Sequence, residues 1–574
     1  MRPRAPKAWF LTATRGGVPV TTESPRVRAA RGRPIDGRTL KRLTEAGLAW
    51  LKTNQQTVNA LNVFPVPDGD TGTNMVLTMQ AAWTEIKGLG TRHIGEMAAA
   101  VSKGALMGAR GNSGVILSQL WRGFSRSVRD REELDGPSFA AALAEARDTA
   151  YKGVVRPVEG TILTVAKEAA AAAEAARKSS AHPIDMLEAV VQAADEAVQS
   201  TPELLPVLKQ AGVVDSGGKG LFYILEGMLR HIRGESLDEP AMQIQPLSMM
   251  QMQDAMQEME AGQDYEVVVD FYPKGQLDLR QFYGRLEAMG TSIQVGEGEG
   301  MYRMHIHVPT EKRYEPIDYV MELGTISKVA IENLVSQMES LTGANQAPVT
   351  LQPVEPGTIA VVAVSPGPGL SRIFASLGVA AIVEGGQTMN PSTQDILRSF
   401  ENLPTDRVIL LPNNKNIVMA AEQAREVTVK QVAVVPSRTV PQGLAAMLAA
   451  DPQGELEAVA DKMKRAMASV KTGEITIATR SVEIDGVAVK QGQVIALLDG
   501  KLVVAGDGLE DALLALLDKA GAAGHELVSL YHGQELPHAE AHRIGDVVRE
   551  RFPDVEVEIR DGGQPHYQMI VSVE

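Results

Sequence analysis

Apolar residues recur at helical spacing from Ile35 to about Gly234, and the alternation typical of β-strands is almost absent there. The alanine-rich segment 166–177 is also a strong helix former by intrinsic propensity. This pattern predicts an all-α domain over residues 35–235. Its clearest helices are expected at residues 97–107, 115–124, 139–150 and 166–177.

The hydrophobic pattern changes after residue 235. Residues 236–263 combine methionine with glutamine and predict a linker that contains a short amphipathic helix. From Tyr265 short strand-like and helix-like segments alternate, which predicts a small α+β middle domain over residues 264–345. Strands are expected at residues 266–272, 292–295 and 302–308, and helices at residues 277–289, 317–323 and 330–338.

Two prolines, Pro353 and Pro356, mark the next boundary. Strands are expected at residues 358–364, 380–383, 408–411 and 431–435. Helical segments lie between them, and this alternation is typical of a mostly parallel α/β sheet. Strand-rich segments follow Gly473, and the chain closes in β-α-β order over residues 527–559. We therefore predict a multidomain protein that ends in an α/β domain over residues 355–574.

Composition narrows the range of functions. The net charge of −15 argues against a nucleic-acid partner, which requires clustered lysine and arginine. The chain contains no cysteine, which excludes disulfides and thiolate chemistry and is compatible with the cytoplasmic localisation that we expect. No run of about 18 apolar residues occurs, so no transmembrane segment is expected. Residues 1–34 are rich in arginine without apolar periodicity and predict a disordered basic extension.

Two carboxylates lie on one tight turn, Asp68-Gly69-Asp70. Prolines stiffen the approach to this turn, and glycine permits backbone geometries that other residues avoid. With Thr71, Thr73 and Asn74, the two carboxylates form an all-oxygen cluster that suits Mg²⁺. Aspartates in a loop of glycine and proline are also common turn formers, so the spacing alone leaves both interpretations open.

A second loop, Gly108–Gly114, precedes a predicted helix. Glycines before a helix expose backbone N–H groups, and the positive end of the helix dipole favours an anion. Asn112 and Ser113 can add donors, and Arg110 can neutralise a phosphate oxygen, which makes it the candidate catalytic residue. Residues 156–161 and 212–221 also mix glycine, an acid and a hydroxyl. Four such loops in one helical domain favour a nucleotide site, although the P-loop and protein-kinase motifs are missing.

These loops, together with segments of the C-terminal half, resemble the bacterial fatty acid kinase catalytic subunit family. The helical domain is similar to the ATP-binding L subunit of dihydroxyacetone kinase. The resemblance covers residues 35–574, and its motifs are long and occur in the family's order. The segments that carry it are residues 62–75, 108–114, 157–165, 213–221, 385–393, 411–417, 441–443 and 562–567.

The resemblance implies an antiparallel eight-helix barrel that binds ATP and Mg²⁺ at one end. It implies transfer of the γ-phosphate of ATP to a fatty acid carboxylate, giving an acyl phosphate for phospholipid synthesis. In this family a separate fatty-acid-binding protein presents the acid and docks on the C-terminal domain, and a homodimer is expected. Asp68 and Asp70 match the family's metal-binding aspartates. Matched ATP-binding positions are Thr71, Thr73, Asn74, Gly111, Asn112, Ser113, Gly114, Thr161 and Asp215.

His305 and His307 alternate along one predicted strand, so both imidazoles face the same side, which suits one metal ion. A surface histidine pair is the alternative on spacing alone. The family uses the two histidines and a cysteine to hold Zn²⁺, but here the cysteine position aligns with Val268. Asp270 shares that face and is the candidate substitute, yet the missing thiolate weighs against bound zinc.

Two alternatives to a fatty acid kinase stay open. One is a dihydroxyacetone-type kinase that acts on a hydroxylated metabolite, and the other is a scaffold that binds nucleotide without turnover. A carboxylate acceptor with an ordinary pKa of about 4 is ionised at pH 7 and needs no general base. An alcohol acceptor is activated by a general base that removes its proton. The glycine loops of the helical domain contain no histidine, which favours the carboxylate.

Overall fold

The structure is a computed structural model. It describes residues 35–62, 69–154, 156–178, 182–237, 245–246, 265–275, 277–298, 301–333, 351, 353–387, 389–478, 482–484 and 487–574. The basic extension predicted for residues 1–34 lies outside these ranges, and so does Asp68.

Ten helices make up the first part of the described chain. They are α1 Gly37–Thr53, α2 Gln55–Leu61, α3 Thr71–Ile86, α4 Ile94–Met107, α5 Gly111–Ser127, α6 Gly136–Lys152, α7 Ile162–Ala176, α8 Pro183–Leu204, α9 Pro206–Ala211 and α10 Ser216–Arg233. All except the short helices α2 and α9 pack as an antiparallel barrel, in which each long helix contacts the next and α10 returns to α1. Strand β1 Ile35–Asp36 pairs with β2 Glu133–Leu134. The predicted all-α architecture is confirmed.

Glycines allow the first and last helices to close the barrel. A Cβ atom on Gly47 would lie 2.9 Å from the Ile224 carbonyl oxygen, and one on Gly227 would lie 2.6 Å from the Trp50 Cβ. Buried apolar side chains line the interior of the barrel, around an apolar cavity of about 120 Å³. The connecting loops lie at the ends of the barrel, where functional polar side chains are expected.

A five-stranded sheet and two helices form the middle part. The elements are β3 Gln245–Pro246, β4 Tyr265–Pro273, α11 Leu279–Glu287, β5 Thr291–Gly298, β6 Met301–Val308, α12 Glu315–Leu323 and β7 Gly324–Asn333. The strand order is β3-β5-β6-β4-β7, with β3 parallel to β5 and the other pairs antiparallel. The three strands predicted here and the helices expected at residues 277–289 and 317–323 are confirmed.

The prediction of a helix at residues 330–338 is wrong for the residues that the structure describes, 330–333. Residues 324–333 form β7, which pairs with β4 from Pro273↔Gly324 to Tyr265↔Asn333. This segment is rich in β-branched residues, which pack well on a pleated sheet, and the free edge of β4 supplies the pairing partner. The short helix expected in the linker lies outside the described residues.

The C-terminal part consists of two large sheets and one antiparallel pair of short strands, residues 482–484 with 487–489, together with the helices that connect them. Its elements are β8 Ile359–Ser365, α13 Pro368–Ser376, β9 Ala381–Glu384, α14 Thr393–Glu401, β10 Arg407–Leu411, α15 Val418–Val427, β11 Gln431–Val434, α16 Val440–Leu448, α17 Leu456–Met467, β12 Lys471–Ile477, β13 Val482–Ile484, β14 Val487–Val489, β15 Val494–Leu498, β16 Lys501–Gly506, α18 Leu509–Ala520, β17 Leu527–His532, α19 His538–Arg551, β18 Glu556–Asp561 and β19 Met569–Val573. The first sheet, β11-β10-β8-β9, is entirely parallel, as predicted. The second, β16-β15-β12-β19-β17-β18, is antiparallel except between β17 and β18.

The barrel packs directly against the parallel sheet. Ala109 and Val115, at the start of α5, belong to one apolar cluster with Val364 of β8. On α15, Gln423 Nε2 donates a hydrogen bond to Ser118 Oγ of α5 at 3.1 Å. This contact brings the loops ahead of α14 and α15 against the loop ahead of α5. Among the described residues, no helix combines the length and apolar character needed to cross a bilayer.

Candidate active site

The four loops singled out in the sequence meet in one cleft of about 330 Å³ at one end of the barrel. The predicted residues that line it are Asp70, Thr71, Asn74, Gly111, Asn112, Ser113, Thr161 and Asp215. In an antiparallel barrel every second long helix begins at the same end. The four loops precede α3, α5, α7 and α10, which are alternate long helices of the barrel. Their convergence therefore follows directly from the fold.

Four helix N-termini point at the cleft. Helix α3 begins at Thr71, α5 at Gly111, α7 at Ile162 and α10 at Ser216. Each N-terminus carries the equivalent of about half a positive charge and presents backbone N–H groups to an anion. The residues before α3 and α5 make no side-chain capping hydrogen bond, so their first turns keep donors available to a ligand. This arrangement suits a polyphosphate.

Asp70 is the N-terminal flanking residue of α3 and is only 5% exposed. Its Oδ2 accepts a hydrogen bond from Asn390 Nδ2 of the C-terminal part at 2.5 Å. Beside it, Ser216 Oγ at the start of α10 donates to Thr71 Oγ1 at 3.3 Å. The first turns of α3 and α10 thus lie side by side, and the Asp70 carboxylate is close to the hydroxyl groups of Thr71 and Ser216.

Asp215 is held between two helix N-termini. Its carboxylate accepts hydrogen bonds from Gly218 N at 2.6 Å and from the backbone N–H of Ile162. Its own N–H donates to Thr201 Oγ1 at 3.0 Å. Burial raises the pKa of Asp215 to about 6, although the two N–H donors act in the opposite direction. At neutral pH a poorly hydrated carboxylate therefore faces the cleft, where a cation would stabilise it.

Gly111 opens α5 with a φ of +58°, a left-handed conformation that favours glycine. A Cβ atom at this position would lie 2.7 Å from Asn74 Nδ2. The missing side chain therefore leaves space for the Asn74 amide at the rim of the cleft. Both the backbone conformation and the close contact require glycine here.

Replacing Gly111 by alanine is expected to weaken nucleotide binding and to lower the free energy of unfolding. The left-handed backbone costs a non-glycine residue about 1–2 kcal/mol, and the new Cβ must also displace Asn74. Equilibrium binding of a fluorescent ATP analogue and thermal unfolding measure the two effects. The control is Gly500→Ala, where φ is +78° but no atom lies within 4 Å of the added Cβ. Equal loss of nucleotide affinity in both variants would contradict the assignment of Gly111 to the site.

Three predicted site residues lie beside the cleft and not in it. Thr73 Oγ1 accepts hydrogen bonds from Gln55 at 3.0 Å and Asn59 at 3.1 Å, so this side chain ties α2 to α3. Gly114 lets α5 approach α3, because its Cβ would collide with Thr78 Oγ1. The third is Arg110.

Arg110 is directed towards the C-terminal part. Its Nη1 donates to the Asn390 carbonyl oxygen at 2.9 Å, and its Nη2 lies 3.2 Å from Asp395 Oδ2. It lines a neighbouring groove of about 510 Å³ that also borders Asn74. The Arg110 guanidinium therefore connects the helical barrel to the C-terminal part.

The cleft fits a divalent metal and a nucleotide phosphate. Asp70, Asp215, Thr71 and Ser216 offer oxygen atoms, the ligands that Mg²⁺ prefers, and the helix N-termini suit phosphates. Within the described ranges, no group of three or more acidic or histidine side chains is placed to hold a metal ion. Mg²⁺ bound with a nucleotide needs only one or two carboxylates, because phosphate oxygens and water complete its shell.

Sequence reasoning missed several residues of the site. Asn416 and Met419 of the C-terminal part line the cleft, and Asn112 Nδ2 donates to Asn416 Oδ1 at 3.4 Å. Asn390 contacts Asp70 from the same side. The segments 385–393 and 411–417 were noticed among those that carry the family resemblance, and nothing local in the sequence places them against the barrel. Ser216 could have been found, since it follows Asp215 directly.

The histidine pair lies on one strand as predicted, but Asp270, the candidate third metal ligand, already forms an ion pair. His305 and His307 are buried on one face of β6, with ring centroids 5.0 Å apart, and His305 Nδ1 lies 3.4 Å from Glu266 Oε1. Asp270 is bound by Arg303, which donates from Nε at 2.6 Å and from Nη2 at 2.7 Å. Asp270 therefore does not replace the missing cysteine. The described residues give no support to the zinc hypothesis.

Three family models match the chain in order. The DAK2 domain matches residues 65–230, and the middle and C-terminal domains of FakA-like fatty acid kinase proteins match residues 262–341 and 360–574. Protein YloV of Bacillus subtilis (strain 168) is 40% identical over 561 residues, which cover 94% of this chain and 100% of that protein. An uncharacterized protein of Staphylococcus aureus (strain USA300) is 37% identical over 548 residues, covering 94% and 99% respectively.

Parts of the chain also align with solved structures. The dihydroxyacetone kinase from C. freundii in complex with AMP-PNP and Mg²⁺ aligns with a TM-score of 0.28 and 16% identity, over 39% of this chain and 38% of that chain. The Streptococcus pneumoniae Fatty Acid Kinase (Fak) B3 protein loaded with linoleic acid aligns with a TM-score of 0.28 and 14% identity, over 38% and 99% respectively.

Proposed function

The chain belongs to the FakA-like family of fatty acid kinase proteins, and we propose that it transfers the γ-phosphate of ATP to a fatty acid carboxylate. The observation that carries this proposal is the convergence of four helix N-termini and two carboxylates on one cleft. Such a cleft suits a nucleotide polyphosphate with its metal. The family supplies the class of acceptor.

The protein's side chains need not form covalent bonds in this reaction. A carboxylate oxygen of the acid attacks the γ-phosphorus, the bond to the bridging oxygen of ADP breaks, and an acyl phosphate forms. The acceptor is already ionised at pH 7, so no general base is required. The described residues that line the cleft include no histidine, in keeping with such an acceptor. Catalysis then depends on positioning and on neutralising the charge of the phosphates.

The chain's own residues have distinct roles in this proposal. Asp70 and Asp215 hold the metal, together with Asp68, which stays a prediction from the sequence. When bound, Mg²⁺ neutralises charge that develops on the phosphate oxygens. The N-termini of α5 and α7 bind phosphates through Gly111, Asn112, Ser113 and Thr161. Arg110 stays the candidate for charge stabilisation if its contact with Asp395 opens.

We further infer that a separate fatty-acid-binding protein presents the acid and docks on the C-terminal domain of residues 355–574. The acyl phosphate would then enter phospholipid synthesis in the cytoplasm. Homodimer formation is a further expectation from the family. Family membership supports these inferences, and docking and dimer formation can be tested on the purified chain.

The deciding experiment combines the full chain with ATP, Mg²⁺, a long-chain fatty acid and a fatty-acid-binding protein from the same genome. We expect an acyl phosphate, trapped by hydroxylamine as a hydroxamate, together with equimolar ADP. Reactions without the binding protein or with EDTA are the controls. Phosphorylation of dihydroxyacetone in a parallel reaction would favour the alternative kinase. Nucleotide binding without any phosphorylated product would favour the scaffold.

A further inference from the structure

Asn390 belongs to the C-terminal part but is buried against the barrel. It lies in the loop between β9 and α14, it is 3% exposed, and its Nδ2 donates to Asp70 Oδ2 at 2.5 Å. The two residues are 320 positions apart. A Cβ atom on Gly111 would lie 3.7 Å from the same Nδ2, so the Asn390 amide also borders the first turn of α5. One amide therefore touches both the candidate metal carboxylate and the phosphate loop.

The second polar atom of this amide has no obvious structural use. Asn390 Oδ1 is buried and has no hydrogen-bond partner among the described residues. A buried acceptor without a partner costs free energy, and such a group often marks a place where an ion, water or ligand binds. Here the atom belongs to an amide whose other end is fixed on a candidate metal ligand. An amide held in this way can orient the carboxylate towards a metal ion.

The loop that carries Asn390 is held firmly against the barrel. Thr393 N donates to the Ala109 carbonyl oxygen at 3.2 Å, and the Asn390 carbonyl oxygen accepts from Arg110. Ser392 and Asp395 form a reciprocal capping box at the start of α14, which fixes the direction of the loop. Asp395 in turn pairs with Arg110 at 3.2 Å. Asn390 is thus placed by several contacts, as expected for a residue with a geometric task.

We propose that Asn390 is a positioning residue of the metal–nucleotide site, whose amide orients the Asp70 carboxylate from the C-terminal domain. The nucleotide site is then shared between two domains. The C-terminal domain helps to bind ATP and has a task besides docking the fatty-acid-binding partner. This inference rests on the proposed nucleotide function of the cleft and extends it to a residue outside the barrel.

The test measures the Mg²⁺ dependence of nucleotide binding by the full chain. Asn390→Ala is expected to raise the Mg²⁺ concentration that half-saturates binding of a fluorescent ATP analogue by about 10-fold, as for other groups that orient metal ligands. Asn390→Leu keeps a similar shape, removes both polar atoms and should shift the Mg²⁺ requirement equally. The matched control is Asn402→Ala, an exposed asparagine at the end of α14, which should behave as wild type. Thermal unfolding in EDTA checks that each variant is folded.

The outcomes separate this inference from the proposed function. If wild type binds the nucleotide with Mg²⁺ and a folded Asn390 variant has the same Mg²⁺ requirement, Asn390 has no positioning role. If Asn390→Ala does not fold, Asn390→Leu decides, because it preserves the packing volume. A wild-type chain that binds no nucleotide at any Mg²⁺ concentration would overturn both the proposed function and this inference. A rise confined to the Asn390 variants supports the shared site.

Discussion

Replacing Asp70 by alanine is expected to lower the rate of phosphoryl transfer from ATP by at least about 100-fold, while the protein still folds. Asp70 lies before α3 but makes no capping hydrogen bond with its side chain, so the helix loses little when the carboxylate is removed. The carboxylate is buried and accepts from Asn390, which indicates a fixed orientation. In the proposed mechanism, its loss removes a metal ligand that helps to stabilise the transition state.

Two measurements check this prediction. ADP release at saturating fatty acid and binding protein gives kcat and the KM for ATP. Circular dichroism gives the midpoint of thermal unfolding. Asp130→Ala, which removes an exposed acid after α5, is the control and should keep wild-type activity. A folded Asp70→Ala protein with activity near wild type would rule out Asp70 as a metal ligand. Loss of activity together with loss of folding would point to a structural role, which Asp70→Asn would test without a change in shape.

Asp215→Asn is expected to abolish most nucleotide turnover and to change how stability depends on pH. Burial raises the pKa of Asp215 to about 6 from an ordinary 3.8. Between pH 4 and pH 6 the folded protein therefore holds a proton that the unfolded chain releases. The contribution of Asp215 to stability is largest below pH 4 and falls as the pH rises through 6. The full change is at most about 3 kcal/mol, and water in the cleft reduces it.

The comparison of wild type with Asp215→Asn isolates this group. In EDTA, the stability of wild type relative to the variant should decrease as the pH rises from 4 to 7, measured by urea unfolding. In wild type, kcat/KM for ATP should fall at acidic pH as Asp215 becomes protonated, since the ionised carboxylate is the form proposed to bind the metal. A stability difference that stays constant over this pH range would contradict the raised pKa.

Much of the fold was predictable because helical and strand periodicity are local properties. The spacing of apolar residues located helices of the barrel and strands of the parallel sheet, and the glycine loop at residues 108–114 was placed correctly just ahead of a helix, although that helix begins at Gly111 and not at Val115. The antiparallel arrangement then brings the starts of alternate helices to one end. The helix expected at residues 330–338 was an exception: its described residues, 330–333, end strand β7, which pairs with the edge of β4.

The amino-acid sequence was enough to establish the family, the helical barrel, and the loops that supply Asp70, Gly111, Thr161 and Asp215. Tertiary contacts were needed to show which of these side chains face the cleft, which ones serve packing, and that Asn390 reaches Asp70 across 320 residues. The reason is physical. Periodicity and capping depend on neighbours a few positions apart, whereas the contact of two domains depends on the shape and polarity of surfaces that form only after each domain has folded.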